Sequence, residues 1–564
     1  MKRRLCVKAW RLWAAATVCG LGTLGAAEAY RALPLKTYRD KMVGGWLGQM
    51  AGVGWGGPTE FRWQGKIIPE EKLPKWKPEM INQFHQDDIY VEMTFLRTLE
   101  LYGWDVSIRQ AGIDFANSRY PLWHANNAGR ENLRAGIAPP DSGHPKFNRH
   151  ADDIDYQIEA DYAGLICPGL PQAAIELGEK FGRLMNYGDG LYGGQFISGM
   201  YAAAFFETNV EKVVRAGLAC IPHGSQYAEA VRDVLRWHRQ YPEDWTRTWQ
   251  EVERKYHHNP AYRRFSCSGP DSDFDIDAKI NGAYVVIGLL YGGGDLERTI
   301  KIATRCGQDS DCNPSSAGGV VGTILGRSGI PKRFVSALDT NAVFSHTAYN
   351  FAKLTAVCER LARQAVLRYG GRVASEPEET FLIPAQRPKP SPLEQCWAPG
   401  PPLGVRYTPE EAAKIRVDSA AAQLRKAFSR RFPGWRLVRC GRSMDPGLRA
   451  KFRGRRNVFL THPVSEQVPC VMAWAGSLAG ARRPVLRLVC AHDPRGDWEL
   501  AVRVNGKEIL RTPVGPDTAK EGWLEKAIDL SPWAGQDSVK IEVWNAANGW
   551  RYEAAYWAEL RVAR

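Results

Sequence analysis

Long apolar runs, paired cysteines and an excess of charge of one sign are scarce in most of this 564-residue chain. After residue 30, no apolar stretch reaches the roughly 18 residues that a membrane-spanning helix needs. Residues 30–370 carry 39 basic and 39 acidic side chains, so this segment has no net charge that would attract nucleic acid. Ten scattered cysteines follow Ala29 without a CxxC pair or a Cys/His metal spacing, which predicts buried thiols or a few disulfides.

The composition is that of a globular protein with more than one domain. Apolar residues make up 44% of the chain and charged residues 24%, which excludes wholesale disorder. The formal net charge of +14 is uneven, because residues 371–564 carry 31 basic and 21 acidic side chains. The basic character of the mature chain therefore belongs to its C-terminal part, and nucleic-acid binding by the larger N-terminal part is not expected.

The first 29 residues have the pattern of an export signal. Five Lys or Arg residues precede a short apolar stretch, and Ala27-Glu28-Ala29 fits the small-x-small rule of signal peptidase. We therefore predict a signal peptide over residues 1–29, cleaved after Ala29, and a secreted or periplasmic protein without a transmembrane segment. An uncleaved N-terminal membrane anchor is the alternative interpretation.

Residues 30–370 predict an all-α domain. Met42, Trp46, Leu47 and Met50 form a helical apolar stripe, and similar stripes recur along the segment. Few alternating strand patterns interrupt these stripes. Several helices around one large core are the simplest architecture for such a pattern.

The sequence pattern changes twice in the C-terminal third of the chain. Residues 371–432 begin with a stretch rich in Pro and Gly over 382–405, which predicts an extended linker, and continue with one helix from Pro409 to about Ser429. Residues 433–564 contain short alternating segments at 485–490, 498–504, 539–544 and 556–562. The Asn505-Gly506 pair is typical of a hairpin turn. We therefore predict an antiparallel β-sandwich.

Clusters of acidic residues are the candidate chemical groups of the helical segment. Gln86-Asp87-Asp88 precedes a helical stripe, and Asp309-Ser310-Asp311 follows a glycine and precedes a run of small residues. A third cluster holds Asp152, Asp153 and Asp155, with Glu159 and Asp161 nearby. Each cluster alone is explained by helix capping and the helix dipole. If the clusters converge, their mutual repulsion requires a cation, and carboxylate and amide oxygens suit magnesium or calcium.

Ordered motifs over residues 36–330 resemble the ADP-ribosylglycohydrolases, an all-helical family of magnesium-dependent hydrolases. The family's opening segment, similar to GDALGAPVE, corresponds to GVGWGGPTE at 52–60. Its TDDT helix start corresponds to QDDI at 86–89, and its middle motif to ADYAGLICPG at 160–169. Its GGDTDT motif corresponds to GQDSDC at 307–312, again before small residues.

The resemblance implies a site for Mg²⁺, with two ions expected and the second uncertain. It implies metal ligation by Gln86, Asp87, Asp88, Asp309, Asp311 and Cys312. It also implies that Glu60 faces the substrate and that Asp88 or Asp161 activates the attacking water. Gln86 and Cys312 replace liganding threonines of the family, and a thiol is a poor magnesium ligand.

The implied activity is hydrolysis of an N- or O-glycosidic bond at a ribose-like anomeric carbon by metal-assisted water attack. There are two alternatives, and predicted export favours the first of them, because most ADP-ribosylated proteins are intracellular. One is a glycosidase that acts on an extracellular glycan with the same metal site. The other is a non-catalytic sugar-binding protein with a decayed site, of which Gln86, Cys312 and Val53 would be traces.

The C-terminal domain resembles galactose-binding-like jelly rolls in texture alone. The candidates for stacking on sugar rings are Trp498, Trp523, Trp544, Trp550 and Trp557, although most such aromatic residues belong to a core. Residues 425–456 hold 12 Lys or Arg and one acid, Asp445. This segment predicts either a solvated basic face or attachment to a glycan or an anionic surface.

Overall fold

The computed structural model describes residues 30–564, and the predicted signal peptide at 1–29 lies outside the described residues. The described chain divides into two compact units. Unit 1 comprises the described residues up to Ala111 together with 119–126 and 143–403. Unit 2 comprises 112–118, 127–142 and 404–564. Within residues 30–564 no helix combines the length and the apolarity that crossing a bilayer demands.

Helices make up most of unit 1, as the apolar stripes predict. The helices of the described chain are α1 (Leu35–Gly56), α2 (Asp87–Tyr102), α3 (Ile108–Asn117), α4 (His124–Arg134), α5 (Asp155–Ile158), α6 (Asp161–Leu165), α7 (Pro171–Phe181), α8 (Asp189–Ala204), α9 (Val210–Leu218), α10 (Gln226–Gln240), α11 (Trp245–Val252), α12 (Ala278–Gly292), α13 (Leu296–Arg305), α14 (Cys312–Gly329), α15 (Phe351–Arg368), α16 (Pro409–Ala412) and α17 (Ala420–Arg431). Helices α1, α8, α12 and α14 are buried along nearly their whole length.

Thirteen strands in the described chain form three antiparallel sheets. The strands are β1 (Tyr30–Pro34), β2 (Arg372–Ala374), β3 (Thr380–Pro384), β4 (Trp435–Arg439), β5 (Gly447–Phe452), β6 (Arg455–Thr461), β7 (Cys470–Gly476), β8 (Val485–His492), β9 (Trp498–Val504), β10 (Lys507–Val514), β11 (Trp523–Asp529), β12 (Val539–Ala546) and β13 (Ala555–Ala563). The sheet orders are β1-β3-β2, β10-β9-β12-β7-β4 and β11-β8-β13-β6-β5.

The central contact of unit 1 is the close approach of α1 to α14. A Cβ atom added at Gly48 would lie 2.1 Å from the carbonyl oxygen of Gly318. One added at Gly52 would lie 2.1 Å from the Pro314 carbonyl oxygen, and one at Gly56 equally close to that of Ser310. The glycine-rich end of α1 therefore serves close backbone packing.

A small sheet in unit 1 was not predicted. Strand β1 pairs antiparallel with β3, so that Leu33 lies opposite Phe381, and β2 pairs with the other edge of β3. These strands have three to five residues each, and most of the sequence of unit 1 separates β1 from β2 and β3. Local alternation over so few residues gives no usable strand signal.

The Pro-rich stretch up to residue 403 is part of unit 1 and is bound to other residues of that unit. Ser391 Oγ accepts from the side chain of Gln195 at 2.9 Å, and Tyr192 donates its hydroxyl to Pro392 at 2.7 Å. Glu394 forms a salt bridge of 3.0 Å with Arg183. The single helix predicted from Pro409 is two helices, because Ser419 caps a new start at α17.

The sandwich predicted for the C-terminal segment is confirmed in unit 2. Strand β9 has the predicted bounds, and Asn505 and Gly506 both adopt positive φ in the hairpin that leads to β10. The two five-stranded sheets bury one apolar core, in which Trp498 and Trp557 are fully buried with ring centroids 5.3 Å apart.

The packing of α1 on α14 predicts a sharp response to one methyl group. Gly48→Ala places a Cβ against backbone that cannot rotate away, so we expect a loss of about 1–3 kcal/mol. Melting curves of the two proteins measure this loss as a lower melting temperature. Gly400→Ala is the control, because its Cβ meets no heavy atom within 4 Å. Equal melting of both variants would contradict the close approach.

Candidate functional site

Two helix starts in unit 1 bring the predicted acidic pairs together. Asp87 and Asp88 open α2, and Asp311 stands immediately before Cys312, which opens α14. The Cys312 thiol donates to Asp88 Oδ2 at 3.0 Å, so the two starts touch although 224 residues separate them in sequence.

The carboxylates form two overlapping groups around Cys312. One oxygen each of Asp87 and Asp88 lies within 4.8 Å of the other and of the Cys312 sulfur. Asp309 and Asp311 meet the same condition with Cys312. Asp88, Asp309 and Asp311 are buried, and Asp87 is half-buried. The structure therefore assembles the four aspartates that the sequence singled out.

Burial and mutual repulsion disfavour the charged forms of these aspartates. The pKa of Asp87 is raised to about 7, with desolvation as the largest cause and the negative charges of Asp311 and Asp155 as the next. Desolvation, then Asp87 and Asp311, raise the pKa of Asp88 well above its ordinary value. Desolvation, followed by the negative charge of Asp311, also raises the pKa of Asp309 well above its ordinary value. Such a group holds protons or a cation in place of free negative charge.

Gln86 and Glu60 stand at the edge of the same group. Gln86 is the N-cap residue of α2, yet its side chain makes no capping hydrogen bond and lines the adjacent cavity. Glu60 lines that cavity too, and desolvation of its carboxyl group, then Asp311 and Asp87, raise its pKa to about 8. Both predicted residues are therefore brought to the cavity.

The cavity has a volume of about 420 Å³ and combines carboxylates with aromatic and aliphatic walls. Its lining residues are Glu60, Phe61, His85, Gln86, Asp87, Tyr90, Trp123, His124, Ile154, Asp155, Ile158, Phe274, Ile276, Asp309 and Cys312. A pocket of this size that combines a few polar groups with apolar walls suits a small organic ligand.

Asp155 is a cavity residue that the sequence analysis did not assign to the site. Its two oxygens accept the backbone N–H groups of Ala125 at 3.1 Å and Asn126 at 2.8 Å. Desolvation raises its pKa to about 6. Its position in the third acidic cluster was the available signal.

Aromatic residues of the cavity gave no signal in the sequence. The rings of Phe61 and Phe274 meet edge to face with centroids 5.3 Å apart, and Trp123 is 55% exposed. These residues come from separate loops, so no periodicity marks them.

Asp161, the other candidate for the water-activating base, is not brought to the cavity. It is fully buried at the start of α6, where Tyr201 donates to its Oδ2 at 2.6 Å. Desolvation raises its pKa to about 7, and Gln49 is a further hydrogen-bond partner. Asp161 is absent from the cavity lining and its side chain is bound to Tyr201, so this geometry does not support water activation by Asp161, which stays a prediction.

The five tryptophans considered for sugar stacking divide between core and surface of unit 2. Trp498 and Trp557 belong to the core, and Trp523 is also buried. Trp544 is half-buried, with the Arg503 guanidinium 4.0 Å above its ring, and Trp550 is 44% exposed. A second cavity, of about 390 Å³, includes Trp544, Arg425, Arg439 and Glu542 in its lining.

The buried Asp161 predicts a pH-dependent stability difference. Its folded pKa of about 7 exceeds the ordinary value of ~3.9, so the folded chain keeps a proton that the unfolded chain releases. The contribution of this group to stability therefore falls as the pH rises from about 4 to about 7. Asp161→Asn stays neutral, so the variant should gain about 1–3 kcal/mol relative to wild type between pH 5 and pH 8.

Thermal melting of both proteins at the two pH values measures this difference. Tyr201→Phe is the control for the lost hydrogen bond, because it removes the hydroxyl donor and leaves the carboxyl group in place. A stability difference between Asp161→Asn and wild type that stays constant from pH 5 to pH 8 would contradict the buried, protonated carboxyl.

Comparisons with known proteins address the helical part and the sandwich separately. A solved structure described as an ADP-ribosylglycohydrolase-related protein complex is 16% identical over 58% of this chain and 99% of its own, with a TM-score of 0.38. The structure of CBM35 from Paenibacillus barcinonensis is 13% identical over 23% of this chain and 94% of its own, with a TM-score of 0.17. No curated protein matches the chain. The ADP-ribosylglycohydrolase family model matches residues 34–370, more than half of the chain, and the protein therefore belongs to the ADP-ribosylglycohydrolase family.

Proposed function

We propose that the protein is an exported magnesium-dependent hydrolase that cleaves a glycosidic bond at a ribose-like anomeric carbon. Family membership supports a hydrolase of the glycosyl-bond type. The observation that carries the proposal is the meeting of Asp87 and Asp88 with Asp309 and Asp311 beside a ligand-sized cavity. The predicted signal peptide supports export, and an ADP-ribosyl group is the proposed substrate.

The donor set fits magnesium. Within residues 30–564, the Oδ1 atoms of Asp88, Asp309 and Asp311 are buried and lack a hydrogen-bond partner. Buried carboxylate oxygens of this kind cost free energy unless a cation or a proton binds them. Hard oxygen ligands select Mg²⁺ over softer metals, and Asp87, Asp88, Asp309, Asp311 and the amide oxygen of Gln86 would hold it. Bound magnesium supplies Lewis acidity toward substrate hydroxyl groups and water.

Protein groups around the cavity supply the remaining functions. Asp155 is oriented by two backbone N–H groups, so it presents a fixed carboxylate to substrate hydroxyls and to positive charge at the anomeric carbon. Glu60 faces the substrate from the cavity wall. Asp88 is the proposed acceptor of the water proton, because it belongs to the aspartate group and its Oδ1 is buried without a hydrogen-bond partner among the described residues. Phe61, Phe274 and Trp123 offer apolar contact to the rest of the ligand.

Cys312 distinguishes this site from the family pattern that the sequence resembles. Its thiol donates to Asp88, and desolvation followed by the neighbouring aspartates raises its pKa well above the ordinary value. A protonated thiol is a weak magnesium ligand. The proposed second magnesium site therefore binds more weakly than the first.

The alternative activity is that of a glycosidase on an extracellular glycan. The second cavity in unit 2 favours it, because a half-buried tryptophan, two arginines and one glutamate suit an anionic or neutral sugar. In this alternative the sandwich holds the glycan and the helical unit cleaves it.

An activity screen tests the proposal and separates its alternatives. The full-length protein is incubated with ADP-ribosyl and glycosyl substrates, with magnesium and with a chelator. We expect release of ADP-ribose that depends on magnesium and is lost in Asp309→Asn. Release of free sugar from a glycan would favour the glycosidase, and no turnover of either class with magnesium present would favour the decayed site.

Magnesium is also expected to stabilise the fold. An ion that binds only the folded chain raises its stability by mass action, by about 2.7 kcal/mol at 100 times the Kd. The melting temperature of the wild type should therefore rise with magnesium concentration. Asp309→Asn should abolish the rise, because it removes one negative charge at nearly constant volume. Asp271→Asn is the control, since Asp271 is an exposed aspartate of the same unit.

Cys312→Thr is expected to strengthen magnesium binding, whereas Asp309→Asn is expected to abolish it. A hydroxyl at position 312 adds a hard oxygen ligand, so this variant should reach half of the magnesium effect at a lower concentration than wild type. A wild-type melting curve that ignores magnesium, together with no bound metal by elemental analysis, would leave helix capping as the role of the acidic pairs.

A further inference from the structure

Four side chains with metal-binding atoms converge in unit 1 outside the aspartate group. Donor atoms of His124, His150, Asp153 and Cys267 all lie within 4.8 Å of one another. Asp153 Oδ2 lies 2.7 Å from His150 Nδ1 and 3.3 Å from His124 Nδ1. The residues come from three separate segments, which is why the linear Cys/His spacing gave no metal signal.

Burial and charge at this cluster leave Asp153 dependent on the two imidazoles. Its side chain is fully buried, and its Oδ1 has no hydrogen-bond partner within residues 30–564. The buried Lys279 lies closer to other carboxylates, 2.9 Å from Asp277 and 4.0 Å from Asp152. An unpaired buried carboxylate oxygen beside two imidazoles and a thiol is the environment that a metal ion stabilises.

The loop that carries Cys267 is held in place by neighbouring arginines. The buried Arg263 donates to Ser266 Oγ and Ser268 Oγ, on both sides of the cysteine. Arg149 donates to the Cys267 carbonyl oxygen at 3.0 Å. Hydrogen bonds from outside a ligand set fix its orientation in the same way around known metal sites.

The donor types differ from those of the aspartate group. Two imidazole nitrogens, one carboxylate oxygen and one thiol sulfur are borderline to soft ligands, which suit zinc and related transition metals and not magnesium. Zinc bonds of about 2.0 Å to nitrogen and about 2.3 Å to sulfur put the donors of a tetrahedral site about 3.3–3.7 Å apart. The separations in this cluster are compatible with such a site after small side-chain adjustments.

We propose that His124, His150, Asp153 and Cys267 bind one transition-metal ion of the zinc class, separately from the magnesium ligands. The ion would join the segment before α5 to the start of α4 and to the 263–268 loop. None of its four residues belongs to the aspartate group, so metal binding at this site is measurable separately from the proposed hydrolase activity.

The proposed ion would fix one wall of the cavity. His124 lines the cavity, opens α4 and has a φ of +40°, a conformation that costs a non-glycine residue free energy. The next two backbone N–H groups, of Ala125 and Asn126, hold Asp155. A metal bond to His124 would therefore keep Asp155 oriented, and His124 acts as a positioning residue.

Cobalt substitution tests the site directly, because a thiolate bound to Co²⁺ gives a charge-transfer absorption in the near ultraviolet. Full-length protein treated with a chelator is titrated with Co²⁺ and then with Zn²⁺. We expect the thiolate band to saturate at one equivalent of cobalt and to disappear when zinc displaces it. Elemental analysis of the protein dialysed against zinc should give one retained ion.

Matched cysteine variants assign the band. Cys267→Ser should abolish it, and Cys312→Ser should leave it intact, because Cys312 belongs to the aspartate group. His150→Asn keeps both thiols and should weaken cobalt binding by at least about tenfold. Circular dichroism tests whether each variant is folded. If Cys267→Ser does not fold, the cobalt affinity of His150→Asn decides whether the cluster binds the metal.

Three results would overturn the proposal. The first is a wild-type protein with no thiolate band and no retained zinc, which leaves the cluster as hydrogen bonds to Asp153. The second is a band that Cys312→Ser removes and Cys267→Ser retains, which places the metal among the aspartates. The third is unchanged cobalt affinity in a folded His150→Asn variant.

Discussion

The repulsion between buried aspartates at two helix starts is the interaction on which the site depends. Asp87 and Asp88 on one side and Asp309 and Asp311 on the other are held close enough to raise one another's pKa values. The N-terminal ends of α2 and α14 favour negative charge, but each such end supplies only about 0.3–1 kcal/mol. A bound cation or shared protons must therefore offset the rest, and this requirement links the fold to the proposed chemistry.

Close packing of glycines keeps the two acidic pairs at this distance. The carbonyl oxygens of Ser310, Pro314 and Gly318 occupy positions that a Cβ on α1 would need, so α1 and α14 approach to backbone contact. Because Ser310 lies between Asp309 and Asp311, the same packing fixes the second acidic pair. A change in the glycine contact would therefore move metal ligands as well as core atoms.

Much of the fold followed from local patterns, and the limits of the prediction have physical causes. Helical stripes and the alternating strands after Trp435 report burial of one face, so they are readable in short windows. The pairing of β1 with β3 and the cluster of His124, His150, Asp153 and Cys267 depend on residues far apart in sequence. The four aspartates were found because each pair sits in a recognisable motif, whereas Asp155 belongs to an acidic cluster outside these motifs and the aromatic walls have no signal. The motif position of Asp161 did not reveal that its side chain is bound to Tyr201 and does not line the cavity.

The central claim is that Asp87, Asp88, Asp309 and Asp311 together bind a hard divalent cation. A crystal structure of the full-length protein grown with Mn²⁺ in place of Mg²⁺ tests this most directly, since manganese takes the same oxygen ligands and scatters anomalously. The account predicts an anomalous peak within bonding distance of carboxylate oxygens from both pairs. An anomalous map without a peak between the two helix starts, with the four carboxyl groups hydrogen-bonded to one another, would contradict it.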